Sequence, residues 1–336
     1  MGPHMVERVA EQALPKIAIT MGDPAGIGAE VTLKAVMRPE VRQTCRPVIV
    51  GDRSVLKRAA QVLSPPVPAH ELEALEVADL GRISEAEHAW GRLDARFGAA
   101  AAVYIETAVR MALAGDVAAV VTAPVNKEAL RQANVPYPGH TEMIAALTQA
   151  ERYAMMLVGP SLRVVHVSTH VSLAEAIRRV RKERILAIIR LARDVLRMEG
   201  IPAPRIAVAG LNPHAGEHGL FGREEIDEIR PAVEAARAEG IDAGGPHPPD
   251  TVFLHATQGK YDIVVAMYHD QGHIPTKLLG FEDSINVTVG IPIIRTSVDH
   301  GTAFDIAGKG VASEASMVRA ITYAARLARN RPAGAS

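Results

Sequence analysis

Three histidines, His170, His214 and His269, each follow a short β-branched run, at 163–167, 205–210 and 263–268. In open parallel sheets, ligands gather beyond the carboxyl ends of strands. Three imidazoles so placed could converge on one divalent ion and leave positions open for substrate, as in catalytic zinc sites. Imidazole also suits cobalt, nickel or iron, so the residues do not fix the metal. A histidine at a strand end more often caps or packs than ligates, and widely dispersed histidines carry no short ligand signature. Spacing alone therefore leaves both readings open. The single cysteine, Cys45, removes any cysteine-built zinc site and any intrachain disulfide.

Other segments have types and spacings that suit an anion. PGHTE (138–142) opens a helical pattern. There Thr141 and the free amides of a helix start could hold a phosphate, the alternative being an ordinary N-cap. Lys277, Asn286 and Arg295 punctuate apolar stretches. Cations at the ends of buried segments need anionic partners, either a bound acid or an internal carboxylate. The run DHGTAFDIAGKG (299–310) is a glycine-rich loop before a helix, and such a loop lets backbone approach a nucleotide. MGDPAGIG (21–28) also joins a strand to a helix. It fits neither the G-x-G-x-x-G fingerprint nor a Walker loop, and reads as a tight structural turn.

Positioning these residues requires alternating strands and helices. Besides the three runs above, 16–20, 47–51, 117–122 and 154–158 read as buried strands. Helical periodicity fills 182–199, with Gly200 as a stop, and also 224–239 and 314–329. This alternation predicts parallel sheets covered on both faces. The stretches NVPYPG (134–139) and GGPHPP (244–249) read as crossings or cleft loops. With 336 residues, 48% of them apolar and 22% charged, the chain is a folded one and long enough for two units with a cleft between them. A net charge of −1 gives no general reason to expect nucleic acid or an anionic membrane. The apolar runs look too short to span a bilayer, and a cytoplasmic location follows by default. The start, MGPHM (1–5), reads as a cloning remnant, so His4 is set aside.

ITMGDPAGIG (19–28), TAPVNKEAL (122–130), YPGHTE (137–142), HVSTH (166–170), NPHAGE (212–217), PPDT (248–251), YHDQGH (268–273) and RTSVDHGTAFDIAGKG (295–310) together resemble the 4-hydroxythreonine-4-phosphate dehydrogenase family. The likeness runs from about Lys16 to about Ala328. The last segment also looks like the nucleotide loop of isopropylmalate dehydrogenases. The resemblance implies an isocitrate/isopropylmalate dehydrogenase-like fold of two α/β/α domains, the first from 14–138 plus 292–333 and the second 139–291. It implies NAD as cofactor, with contacts at His300, Gly301, Thr302, Asp305 and Gly308. It places metal ligands at His170, His214 and His269, zinc first, with magnesium, cobalt, manganese or nickel as alternatives. Substrate contacts fall on His140, Thr141, Lys277, Asn286 and Arg295, and Asp250 matches a further active-site acid. The family's site lies at a homodimer interface, with His269 expected from the neighbouring subunit.

The biosynthetic branch of that family, which serves pyridoxal phosphate synthesis, typically reads HDQGLP, whereas this chain has His273 after HDQG. HVSTH, EHGLFG (217–222) and HDQGHIPTKLLGF (269–281) look more like the branch acting on 4-phosphorylated threonate or erythronate. A branch oxidising aromatic cis-dihydrodiols tends to lack the GHTE segment kept here. The expected chemistry is hydride transfer to NAD from the C3 alcohol of a small phosphorylated hydroxy acid, then decarboxylation, with Asp250 or Lys277 moving the proton. The competing class is a phosphate acyltransferase of the same fold, which has no need of three histidines.

Overall fold

The computed structural model describes residues 13–280 and 283–331, so the expected cloning remnant and residues 332–333 of the expected first domain lie outside it. Eleven strands form one sheet: β1 Lys16–Thr20, β2 Arg46–Gly51, β3 Val77–Asp79, β4 Ala119–Thr122, β5 Ala154–Val158, β6 Arg163–His166, β7 Ile206–Ala209, β8 Ala243–His247, β9 Ile263–Ala266, β10 Ile285–Val289 and β11 Arg295–Val298. Their order is β3-β2-β1-β4-β11-β10-β5-β6-β9-β7-β8. The chain thus leaves one half of the sheet after β4 and returns to it at β11.

The interior runs KIAIT, AVVT, IAVA and IVVA form strands because side chains of one character on both pleat faces suit a sheet covered on both sides. Helix Lys182–Met198 buries Ile185, Ile188, Ile189, Ala192, Val195 and Leu196, one stripe at helical spacing. At about 2 kcal/mol for each large apolar side chain, that stripe dominates its docking. Gly200, at φ +99°, ends the helix, and Ile201 donates back to the carbonyl of Leu196. Helix Ala315–Asn330 packs on β11 and β4, and Ala95–Ala114 on β1 and β2. The latter helix is long and apolar enough to cross a membrane by length and composition, contrary to the expectation of short runs only. Its Phe97, Tyr104 and Ile105 are wholly enclosed, as in a core helix.

The sheet is mixed rather than parallel. β10 runs antiparallel to both β11 and β5, and β5 runs antiparallel to β6. Only the four residues 159–162 separate β5 from β6, too few for a parallel crossover. The stretch 244–249 also differs from its reading as a loop, since most of it is edge strand β8. Proline is tolerated on an edge, where its missing N–H has no neighbour to serve. The turn at 21–28 is a turn as expected. The buried Asp23 carboxylate accepts from Ala25 N at 2.8 Å within it, and Gly26 leaves no room for a Cβ against Thr302.

Candidate active site

The middle of the sheet carries a polar face. Register places Thr288 opposite Arg295, and Asn286 and Thr122 each opposite Ser297. Alternate residues of a strand share a face, so these polar groups gather on one side. Arg295 is fully buried and donates to three hydroxyls, those of Thr122 (2.6 Å), Thr288 (3.0 Å) and Thr141 (3.3 Å). Among the described residues no carboxylate lies within ion-pair distance of it. Burial pushes its pKa down to about 9, which leaves it charged at neutral pH.

Above this face lies a cavity of about 860 Å³. Lys127, Arg178, Arg179, Arg181, Arg184 and Lys277 line it, against only three carboxylates, Glu142, Glu151 and Asp299. His140 and Thr141 enter it at the start of helix His140–Leu147, where Gly139 is extended. Burial, then the charges of Arg295 and Lys127, push the His140 imidazole well below its usual pKa, so it is neutral. Lys277 sits 3.4 Å from Asp299, whose own carboxyl is pushed up by burial. Six buried polar atoms without a hydrogen-bond partner belong to cavity-lining residues: His140 Nδ1, His166 Nε2, Ser168 Oγ, Asn286 Oδ1, Ser297 Oγ and His300 Nε2. Native interiors rarely leave such atoms unmatched, so their concentration here makes this wall suited to polar groups of a ligand or of solvent.

Two of the three expected metal ligands meet in this cavity. His170 follows β6 and His269 opens helix His269–Leu279, and their rings lie 5.5 Å apart, centroid to centroid. Gln271 fixes that helix start by accepting from Met267 N at 2.7 Å and donating to Gly210 O at 2.8 Å, tying the ends of β9 and β7 together. Asp270 Oδ1 lies 2.6 Å from His269 Nδ1, which leaves Nε2 as the free ligand atom. His273 stacks on His269 at 3.6 Å with 12° between the planes, and its Nδ1 is 3.0 Å from the His269 carbonyl. Burial lowers the pKa of His273 to about 4 and that of His166 beside it to about 3.

His214 stands apart. It does not line the cavity, its side chain is 64% exposed, and no cluster of three metal-ligating side chains forms among the described residues. Within one chain His269 is paired with His170, and His214 is the one set apart. Residues 214–218 all take left-handed backbone angles. The buried Glu225 carboxylate holds the approach to that segment, accepting from the amides of Leu211 and Asn212, each at 2.7 Å. A non-glycine residue pays roughly 1–2 kcal/mol for this conformation. Ala215→Gly is therefore expected to raise unfolding stability by about 1 kcal/mol in urea melts, after the extra chain entropy of glycine. An unchanged or lower midpoint would mean that the left-handed turn is not kept in solution.

The remaining expected residues divide. Asn286, His300 and Gly301 line the cavity, and Arg295 lies beneath it. Asp250, Thr302, Asp305 and Gly308 do not line it. Gly308 has its N–H committed to Glu30 at 2.6 Å and its α-carbon against Trp90. Sequence reasoning missed Ser168, Ser297 and Asp299 as site residues. The signal for Ser168 was its place two residues before His170. Asp299 was visible only as part of a glycine-rich loop.

The chain matches the family model of the pyridoxal phosphate biosynthetic protein PdxA over residues 43–324. It is 50% identical to the D-threonate 4-phosphate dehydrogenase of Cupriavidus necator, covering 95% of this chain and 98% of that one. It is 46% identical to the 4-hydroxythreonine-4-phosphate dehydrogenase of Desulforapulum autotrophicum, covering 93% and 95%. The crystal structure of 4-hydroxythreonine-4-phosphate dehydrogenase from Klebsiella pneumoniae superposes with a TM-score of 0.83 at 47% identity, covering 94% and 99%. The protein is an oxidoreductase of the dehydrogenase class with the mixed α/β fold of the solved 4-hydroxythreonine-4-phosphate dehydrogenases. It belongs to the PdxA family.

Proposed function

We propose that the protein oxidises the C3 alcohol of a 4-phosphorylated hydroxy acid with NAD and then releases carbon dioxide, 4-phospho-D-threonate or 4-phospho-D-erythronate being the substrate. The observation that carries this reading is Arg295, a fully buried cation bonded only to hydroxyls beneath a helix start. A charge so placed calls for an anionic partner, and six further cations around the cavity suit a substrate bearing both phosphate and carboxylate.

Thr141, His140 and the amides of the helix start hold the phosphate, with Arg295 balancing its charge from below. Asn286 and Ser297 offer unmatched atoms for the substrate's polar groups. Lys277, held beside Asp299, moves the proton and steadies negative charge as the carboxylate leaves. Asp250 does not line this cavity and takes part only if a second copy brings it there. His170 and His269 would hold a divalent metal together with His214 of a second copy. Bound NAD supplies the hydride acceptor, through a site that includes His300 and Gly301, and the divalent cation supplies a Lewis acid.

A homodimer fits the surface. Leu220 and Phe221, just after the His214 turn, are 71% and 49% exposed, and Ile274 and Leu278 on the His269 helix are 58% and 82% exposed. Large apolar side chains left exposed on two segments that carry expected ligands suit a surface that is covered in use. The test is NADH formation with 4-phospho-D-threonate, 4-phospho-D-erythronate and 4-phosphohydroxy-L-threonine, before and after chelation. Metal-dependent NADH with one carbon dioxide per turnover on the first two is expected. Preference for the amino acid would overturn the substrate assignment, and no NADH from any of them would overturn the reading altogether.

A further inference from the structure

A second cation-rich cavity, of about 570 Å³, lies at the other end of β6. Arg163 begins that strand and lines this cavity, whereas His166 ends it and lines the first. Arg163, Arg319, Arg326 and Arg329 surround the second cavity, and Glu199 is the one carboxylate among its lining residues. That carboxylate, only 3% exposed, is already committed. It accepts from Arg163 Nε at 2.9 Å, Arg326 Nη2 at 3.0 Å and the Tyr323 hydroxyl at 2.7 Å. The other two guanidiniums bond to backbone carbonyls, Arg319 to Gly159 and Arg329 to Thr44.

Carbonyls accept hydrogen bonds but carry no net charge, so Arg319 and Arg329 add positive potential that nothing in the cavity wall cancels. Arg319, Arg326 and Arg329 come from one face of helix Ala315–Asn330, at spacings of seven and three residues. Burial, with Arg326 and Arg163 nearby, lowers the pKa of Arg319 despite the opposing charge of Asp283. Guanidiniums present forked donors that match phosphate and carboxylate oxygens. The space is that of a small ligand rather than of one ion.

We propose that this cavity binds a small polyanion with two or more phosphate or carboxylate groups, at a site separate from the one that oxidises substrate. None of the four arginines takes part in the chemistry described above, so the two sites can be disabled independently.

The experiment is calorimetric titration of the full chain with sodium pyrophosphate and, separately, sodium citrate, at constant ionic strength. Wild type should show two classes of pyrophosphate binding, since the substrate cavity also accepts phosphate. The Arg319→Gln/Arg329→Gln variant should lose one class, weakened at least tenfold, while its dehydrogenase activity persists. Lys277→Gln should weaken the other. Arg329→Gln alone guards against misfolding of the double variant, because it removes only a bond to the Thr44 carbonyl, and it should show the same loss to a smaller degree. Tighter binding of pyrophosphate or of citrate identifies the physiological ligand as phosphorylated or polycarboxylic. Isotherms of both variants superimposable on wild type, or binding of neither anion outside the substrate cavity, would overturn the proposal.

Discussion

Arg295→Met is expected to lower kcat/KM by roughly two to three orders of magnitude while leaving the melting temperature unchanged or raised. Removing one partner of a buried charge pair costs about 3–5 kcal/mol when the other partner stays in place. On the proposed reading, that other partner is the substrate anion. The free protein has the opposite balance. It keeps a fully buried guanidinium whose bonds go to Thr122, Thr141 and Thr288 and to no carboxylate. Desolvating an ion with no carboxylate in contact is unfavourable by several kcal/mol, and the hydroxyls and the more distant charge of Glu142 recover only part of that. Methionine has a similar reach and no charge, so the unliganded fold loses little. Kinetics and a thermal melt on the same preparation check both halves. A variant that loses stability along with activity would make Arg295 a structural strut instead of an anion anchor.

The parallel parts of the sheet were legible because β1, β4, β7 and β9 are unbroken apolar runs. β10 and β11 were not, although they lie at the sheet's centre. Their sequences, INVTV and RTSV, carry Asn286, Thr288, Arg295 and Ser297 on the face turned to the cavity, and polar residues there erase the hydrophobic signal. The function of the site thus hid the strands that build it. β3 is three residues long, and β8 reads AGGPH, which has the composition of a turn. The antiparallel β5–β6 hairpin could have been read from its four-residue connection.

Within the site, Lys277, Asn286 and Arg295 were visible as polar residues between apolar stretches and Thr141 as part of a helix-opening segment, and the family likeness added His140 and assembled them. Ser168, Ser297 and Asp299 gave no comparable signal, since serine and aspartate at strand ends are ordinary turn formers. Which histidines share a chain was not legible at all. That depends on the packing of β6 against β9 and on the left-handed turn at His214, and neither leaves a mark in residue spacing.

Mixed dimers turn that last point into a measurement. His170→Ala, His214→Ala and His269→Ala should each lose more than roughly a thousandfold in turnover and one ligand's share of metal affinity. The three pairwise mixtures should then behave differently after unfolding and reassembly. His170 and His269 of one chain face each other, and His214 is set apart. If each site takes His214 from the second copy, mixing the His170 and His214 variants restores one intact site in every heterodimer. Random pairing then yields about a quarter of wild-type activity. The His269 and His214 variants should recover equally. The His170 and His269 variants should not recover, because each site in their heterodimer lacks one of the two paired histidines. The alternative, in which His269 crosses the interface, reverses two of these outcomes: the His170 and His269 variants would complement, and the His170 and His214 variants would not. Metal content of the reassembled mixtures, measured alongside turnover, must follow the same pattern, because the site that fails to form is the one that holds the ion.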